Sequence, residues 1–462
     1  MLKYLSRDFK IIILIPVELN VVIPNNSRNF VIKFSHTDSK PYLFSLSSKI
    51  LAYQKRHKSK SFKYRERRGA QPFTFYGFME RLNRFFLGED NDNFKSLPES
   101  FVKVKVIHQK PEPIKYYIKK IQRYFLMFVD KVLVRYLIRV VSFYPKIVKI
   151  ITNKLSIPKE LKNILKENYD LVVLPTAGMS SIAFYLAKAA REAGVPSLFL
   201  IDNWDNLSSK SAILELPDYM ATWGAQSSEH AVQIHGMEST KVFNLGSARF
   251  SEYHKVRRTN LNNRIKGRYI LFCGTLLPFN EAKCLAIIND EINSNPKVYR
   301  NTRLVYRPHP NSRELRIPKN LNKLLIDPDF IDIVNTASKS SEQLSRASLI
   351  SNAQIVVTGL SSILVESAIF GKNIIALAHK ESFNLTSPYN VLRNMTHLSG
   401  IEKLPNLELC LNLDSLPEML RTGYSLKEYQ IEDIDRELNY FYDISQPSYS
   451  SKLYRIICEI VN

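Results

Sequence analysis

The sequence predicts an α/β protein in two halves, each an open parallel sheet covered by helices, with a basic helical insertion in the first half. Three observations carry this expectation. Short apolar runs alternate with stretches of helical periodicity, the pattern of strands joined by crossover helices. The runs form two series, opening at Asp170 and at Tyr269, separated by the polar, basic and aperiodic residues 251–268. A chain of 462 residues with 45% hydrophobic and 23% charged residues is long enough for two or three domains and too apolar to be disordered.

Charge is distributed unevenly. Residues 1–160 hold 32 Lys and Arg against 12 Asp and Glu, so +20 of the total +22 lies there. Residues 161–400 carry +7 and residues 401–462 carry −5. A basic surface confined to one region suits anionic lipid, nucleic acid or an acidic polysaccharide. The four cysteines, Cys273, Cys284, Cys410 and Cys458, have neither metal-ligand nor redox spacing and read as reduced cytoplasmic thiols. The stretch from Ile11 to Pro24 is interrupted by Glu18 and Asn20 and is too short to span a bilayer. Ile11 to Val17 reads as a first buried strand rather than a signal peptide. A cytoplasmic location follows.

Taken in order, the first domain is expected over residues 1–250, with the basic insertion at about 51–160. Residues 53–68 hold eight Lys or Arg and one acid, either a solvated face or a loop contacting phosphate or lipid. Residues 114–144 have helical periodicity and end before Pro145. Lys115, Lys119 and Arg123 recur at four-residue steps, as do Lys131, Arg135 and Arg139, on two faces that do not superpose. Two amphipathic blocks, or one bent helix, either dock on an anionic membrane or pack on a domain.

Leu171–Leu174 is then a strand, and a helix runs to Ala193, stopped by Gly194 and Pro196. Ser197–Ile201, Tyr219–Trp223 and Lys241–Leu245 are further strands, with a helix from Ser227 to His235 closed by Gly236. After the linker at 251–268, the second domain spans 269–400, with strands at Tyr269–Cys273, Leu304–Tyr306, Ile355–Val357 and Asn373–Ala378. Residues 401–462 turn acidic and helical and are expected to pack back across the first domain.

The chemistry is concentrated in the second series. Arg307-Pro308-His309-Pro310 and Thr358-Gly359-Leu360-Ser361-Ser362 each follow an apolar strand, where open parallel sheets bind ligands. The second also opens a helix, whose N–H groups favour an anion. A guanidinium, an imidazole and two hydroxyls make a phosphate or diphosphate site, with Pro308 and Pro310 fixing the ring of His309. Gly274-Thr275, after the first strand of this series, lets a backbone approach the donor. In the first series, Asp202 and Asp205 flank Trp204 at a strand-to-loop junction. A carboxylate there would take the proton of an acceptor hydroxyl and the indole would stack on a sugar, or the Asp and Asn residues stabilise a turn. The Asp-x-Asp pairs at 90/92, 327/329 and 433/435 follow no clear strand, so no metal site is expected.

The His-Pro motif and the Ser-Ser motif, in this order, resemble those of GT-B-fold glycosyltransferases, whose plan is two Rossmann-like domains joined by a linker. Bacterial capsule polysaccharide transferases, polysialyltransferases and CDP-glycerol glycerophosphotransferases are the most similar. The resemblance covers roughly residues 165–385, and Asp202-Asn203-Trp204-Asp205-Asn206 resembles a segment of surface-carbohydrate transferases. It implies that Glu366, one turn past Ser362, holds the donor ribose; otherwise it is a solvent-facing acid. The paired glutamates of many retaining members are missing, which leaves the stereochemistry open.

The combined expectation is a metal-independent glycosyltransferase without a cofactor. Its donor would be a nucleotide-sugar and its acceptor an oligosaccharide or lipid-linked surface polysaccharide at an anionic membrane. A CDP-polyol donor, and so a polyol-phosphate transferase, is the nearest alternative, followed by a nucleotide-sugar epimerase. A nucleic-acid-binding protein would account for the basic region but not for the cationic site downstream, and no nucleic-acid partner is expected.

Overall fold

The computed structural model describes residues 11–16, 29–34, 41–70, 94–95, 133–166 without 135, 169–175, 180–259 without 211, 264–310 without 278, 317–330 without 319, 342–381, 387–426 without 405, and 431–462 without 445–447. In chain order the strands are β1 (Ile11–Pro16), β2 (Asn29–Phe34), β3 (Phe94–Lys95), β4 (Val172–Leu174), β5 (Ser197–Leu200), β6 (Tyr219–Thr222) and β7 (Val242–Asn244). They continue as β8 (Tyr269–Cys273), β9 (Arg303–Arg307), β10 (Ile317–Pro318), β11 (Leu324–Ile326), β12 (Ile355–Gly359), β13 (Asn373–Leu377) and β14 (Leu407–Cys410). Residues 1–63, 134–251 and 439–462 form one compact unit, and residues 64–133 and 252–438 a second.

The first unit is built on a parallel sheet of order β4-β5-β6-β7, with Leu198 level with Tyr219 and Met220 with Val242. All four residues of β5 are buried, which is why Ser197–Leu200 reads as a continuous apolar run rather than an alternating one. One face packs on the helix Ser181–Ala193 through Phe199, Ala183, Ala187 and Ala190. Ser180 caps that helix by accepting from the Ala183 N–H at 3.2 Å, and Gly194 ends it in the left-handed region at φ 70°. The other face packs on the C-terminal helix Tyr449–Val461 through Leu198, Leu200, Leu453, Ile456 and Ile457. β1 and β2 pair in parallel as a separate two-stranded sheet. The chain at Asn439–Tyr442 passes so close to Gly224 that a Cβ there would stand 2.8–2.9 Å from its backbone.

The basic run at 53–68 is mostly helix, Lys60–Ala70. Phe62 is buried against Ala212 and Ile234, and the Ser59 hydroxyl donates to the Ser208 carbonyl at 2.6 Å, so this run is anchored rather than a free loop. Of the basic residues expected on the following helix, Lys115, Lys119, Arg123, Lys131 and Arg135 lie outside the described residues. Arg139 sits in a helical stretch at 136–141 whose Ile138 packs with Ile50 and Val148.

The second unit carries a six-stranded parallel sheet of order β11-β9-β8-β12-β13-β14. Its core forms from β8, β9, β12 and β13 with the helices Glu281–Ser294 and Leu416–Ser425. From β8 the chain proceeds outward through β9 and β11, then returns to place β12, β13 and β14 on the opposite side. The loops after β8 and β12 therefore diverge at adjacent strands, the arrangement that opens a crevice at the carboxyl edge of such sheets.

The expected fold class, α/β with a parallel sheet in each of two units, is the one the chain adopts. Of the expected insertion in the first domain, the described residues 64–70 and 94–95 group with the second unit. Two boundaries further along also differ from the sequence expectation. Residues 251–259 of the expected linker are a helix, with Tyr253 and Val256 fully buried, because the spacing of these two among charged residues gives one narrow apolar stripe. Of the expected tail, residues 401–438 belong to the second unit, and β14 extends its sheet beside β13 through the register Ala376 to Leu409. The remaining residues, 439–462, belong to the first unit.

Candidate functional site

Four neighbouring parallel strands of the second unit each present a polar side chain two residues beyond their last residue: His309 after β9, Thr275 after β8, Ser361 after β12 and His379 after β13. The registers align them, since Cys273 is level with Arg307, Thr358 with Cys273 and Gly359 with Leu377. Close contacts confirm the row. A Cβ on Gly274 would stand 3.1 Å from the His309 amide nitrogen, and one on Gly359 would stand 2.9 Å from Thr275 Oγ1 and 3.1 Å from Phe279. Phe279 in turn meets the His379 ring edge-on, 5.7 Å between centroids. Both glycines are needed for close approach of protein to protein.

His309 is half-buried, and burial lowers its pKa, reinforced by the nearby Arg346 guanidinium and opposed by Glu342. A neutral imidazole without a ligand is the consequence. An incoming phosphate would favour the protonated ring and gain strength as pH falls. Ser361 and Ser362 lead into the helix Ile363–Ala368, which is only six residues long, so the turn's own N–H groups matter more than any helix dipole. The Ser361 hydroxyl accepts from the Ile363 N–H at 3.4 Å.

Glu366 is neither a solvent-facing acid nor free to hold a ribose. It is 1% exposed and accepts from the Ser362 hydroxyl at 2.9 Å, from Arg346 Nε at 2.8 Å and from the Tyr253 hydroxyl. Arg346 is further paired with Glu342 at 3.2 Å. Helical spacing places Glu366 one turn from Ser362, and the same spacing turns it into the core. Arg307 also departs from expectation. Its guanidinium is buried in an ion pair with Asp327, the two side chains 4% and 2% exposed, and it faces β11 rather than a surface loop. Burial raises the pKa of Asp327 and the guanidinium opposes that rise.

Thr275 donates its backbone N–H to Glu281 Oε1 at 2.8 Å, and the Tyr306 hydroxyl donates to Oε2 of the same carboxylate at 2.6 Å. Glu281 therefore fixes the Gly274-Thr275 turn from below, and the Thr275 amide is already occupied by protein. Three residues escaped the sequence reading. Arg346 and Glu281 sit in helices with no strand-end signature. His379 had one, an imidazole shortly after the apolar run Asn373–Ala378, the same placement that singled out His309.

In the first unit, Asp202 is exposed at the carboxyl end of β5 and accepts from Asn203 Nδ2 at 3.2 Å and from Asn206 Nδ2. Asn203 accepts in turn from Arg249. Asp205 is committed locally, paired with Lys210 at 3.1 Å and accepting from the Ser209 hydroxyl at 3.3 Å. Trp204 is 3% exposed, donates Nε1 to Gln226 at 2.7 Å and packs edge-on against Phe441, so its indole is core and offers no face to a sugar.

The fold is α/β, and this strand-end row is the candidate ligand site on the carboxyl edge of its second sheet. No family model matches the chain, and no curated protein matches it in sequence. Among solved structures, it is similar to UDP-GlcNAc 2-epimerase from Methanocaldococcus jannaschii, with 15% identity over 65% of this chain and 80% of that one at a TM-score of 0.40. It is also similar to the wall teichoic acid polymerase TagF, with 12% identity over 76% and 98% at a TM-score of 0.37. A glycosyltransferase from Rickettsia africae ESF-5 matches with 13% identity over 66% and 80% at a TM-score of 0.37.

Proposed function

We propose that this chain is a glycosyltransferase that binds a nucleotide-activated donor on the carboxyl edge of its second sheet. One observation supports the reading: His309, Thr275 and Ser361 stand two residues past three neighbouring strands, β9, β8 and β12 in turn, beside the point where the strand order reverses, with Ser362 next in the chain. Hydroxyls, turn N–H groups and an imidazole that gains a proton on meeting an anion suit a diphosphate. In the transfer step, these donors stabilise the negative charge that develops on the leaving nucleotide. Glu366, Arg346 and Glu281 shape the site without touching the donor. In the first unit Asp202 is the better candidate for the acceptor's base, being exposed while Asp205 is held by Lys210.

The acceptor we favour is a surface polysaccharide, free or lipid-linked, at the inner face of a membrane. Among the described residues no helix is long and apolar enough to cross a bilayer. The basic region nevertheless exposes an apolar set, Tyr136, Leu137, Val140, Phe143, Tyr144 and Ile150, interleaved with Arg139, Lys146 and Lys149. Aromatic and basic residues together on one solvent-facing stretch suit an anionic lipid surface.

The reading is tested by thermal shift with UDP, CMP, CDP, GDP and ADP derivatives, CDP-glycerol included, on wild type and on His309→Ala. A nucleotide at 100 times its dissociation constant stabilises by about 2.7 kcal/mol. One nucleotide class should raise the melting temperature of the wild type, and His309→Ala should lose most of that rise while folding normally. No shift with any nucleotide, or an equal shift in the variant, overturns the reading.

A further inference from the structure

We propose that His379 is a ligand-binding residue of this same site, its imidazole hydrogen-bonding a phosphate oxygen held beside Ser361. The inference rests on reading the site as one for a nucleoside diphosphate, and adds a strand and a second imidazole to it.

Placement is the first ground. His379 follows β13 by two residues as Ser361 follows β12, and the last pair of the register, Gly359 and Leu377, puts the two residues at matching positions past adjacent strands, whose backbones run about 5 Å apart. The backbone there is held by the Tyr389 N–H, which donates to the His379 carbonyl at 3.1 Å.

The second ground is an unmet need. His379 is 4% exposed, yet neither Nδ1 nor Nε2 has a hydrogen-bond partner among the described residues. A buried polar group without a partner is destabilising, and native proteins rarely keep one unless a ligand or water meets it. Glu381 Oε2 stands 3.9 Å from Nε2, beyond hydrogen-bonding reach. Glu381 is itself occupied, accepting from the Asn280 N–H at 3.0–3.1 Å, so it cannot swing freely to the ring. Phe279 packs edge-on against the imidazole and, like Thr275, lies against Gly359, so the ring borders the same row of strand ends.

The chemistry points to an anion. Burial and Lys283, on the helix Glu281–Ser294, hold the empty ring neutral. A phosphate oxygen at one nitrogen, with the Glu381 carboxylate near the other, favours the imidazolium, in which both nitrogens donate. Ligand binding should therefore draw a proton onto His379.

The test is a long-range proton–nitrogen spectrum of the histidine rings, titrated with inorganic pyrophosphate and then with UDP and CDP. The His379 ring signal is assigned by its loss in His379→Gln. Its nitrogens should move saturably toward imidazolium values, and His379→Gln should bind pyrophosphate about tenfold or more weakly by calorimetry. If His379→Gln does not fold, the wild-type amide of Ala378-His379, the only Ala-His pair in the sequence, is labelled through its alanine carbonyl and histidine nitrogen and followed instead. Unmoved His379 signals, with Ser361→Ala weakening pyrophosphate, overturn this inference alone. Failure of wild type to bind pyrophosphate or either nucleotide overturns it together with the nucleotide reading.

Discussion

Ser362 donates its hydroxyl to Glu366 Oε1 at 2.9 Å, and the opposite oxygen of that buried carboxylate receives Arg346 Nε at 2.8 Å. The serine rotamer is thus set from inside the fold, through a carboxylate that itself depends on a guanidinium. Replacing Glu366 with Gln removes the charge and leaves Arg346 with a weaker partner. Stability should fall by about 1–3 kcal/mol, the penalty for a buried charged group losing a hydrogen bond. Nucleotide binding should weaken as the Ser361-Ser362 turn loses its inner anchor, and by the same factor for ribonucleotides and their deoxy analogues. A residue that held the ribose would lose its effect with the deoxy ligand, so a difference between the two ligands would restore that role to Glu366.

Arg307 and Asp327 form the second relationship with an energetic consequence. Both side chains are almost fully buried, so removing one partner strands the other's charge away from water. Asp327→Ala should lower unfolding free energy by about 3–5 kcal/mol. Arg307→Met with Asp327→Leu should recover most of that loss, and should leave nucleotide affinity within a few-fold of wild type. Urea denaturation and thermal shift measure the two effects. A double variant that is stable but cannot bind nucleotide would return Arg307 to the site.

These two cases show where the sequence was readable. Strand ends and the turns after them follow from local signals, so Tyr269–Cys273, the cap Ser180 and the stop at Gly194 fall where the periodicity and turn chemistry place them. The placement of His309 and Ser361 just past strand ends was legible for the same reason. Arg307, Glu366 and Trp204 were misassigned because a polar or amphipathic residue beside a motif can face either way. Which way it faces depends on partners far along the chain: Asp327, Arg346 and Gln226. The helix Ser251–Thr259 was missed because two buried residues, Tyr253 and Val256, among seven polar ones give little periodic signal.

Acid stability should be governed in part by His235. Burial, reinforced by Lys55, lowers its pKa to about 4, and Nε2 is engaged with the Leu207 carbonyl at 2.7 Å. The folded value lies below the ordinary 6.5, so between pH 6.5 and 4 the unfolded chain binds more protons at this residue. Its contribution is intact above pH 6.5 and is lost as pH falls toward 4, by about 3 kcal/mol at most. His235→Gln should flatten the dependence of urea stability on pH over that window. An identical slope in wild type and variant would show that His235 does not report on folding.

Membrane docking should have an apolar part as well as a charged one. Phe143 is 80% exposed and Tyr136 70%, and Tyr144, Val140 and Leu137 stand out beside them. Ile138 and Val148 are buried against Ile50, so this stretch is anchored inward while its other side faces solvent. Contacts from Arg139, Lys146 and Lys149 to anionic headgroups weaken with salt, over a screening length of roughly 8 Å at physiological ionic strength. Burial of the aromatic rings in the interface does not weaken in this way. Vesicles with anionic lipid should therefore bind the protein strongly at low salt and retain a measurable fraction at high salt. The double variant Tyr136→Asp, Phe143→Asp should lose that salt-resistant fraction, while Lys146→Gln, Lys149→Gln should lose mainly the salt-sensitive one. Both should keep wild-type nucleotide shifts, since the substituted residues are far in sequence from the strand-end row. Equal sedimentation with neutral and anionic vesicles, or a double Asp variant that binds as wild type does at every salt concentration, would leave these rings as a surface with no lipid role.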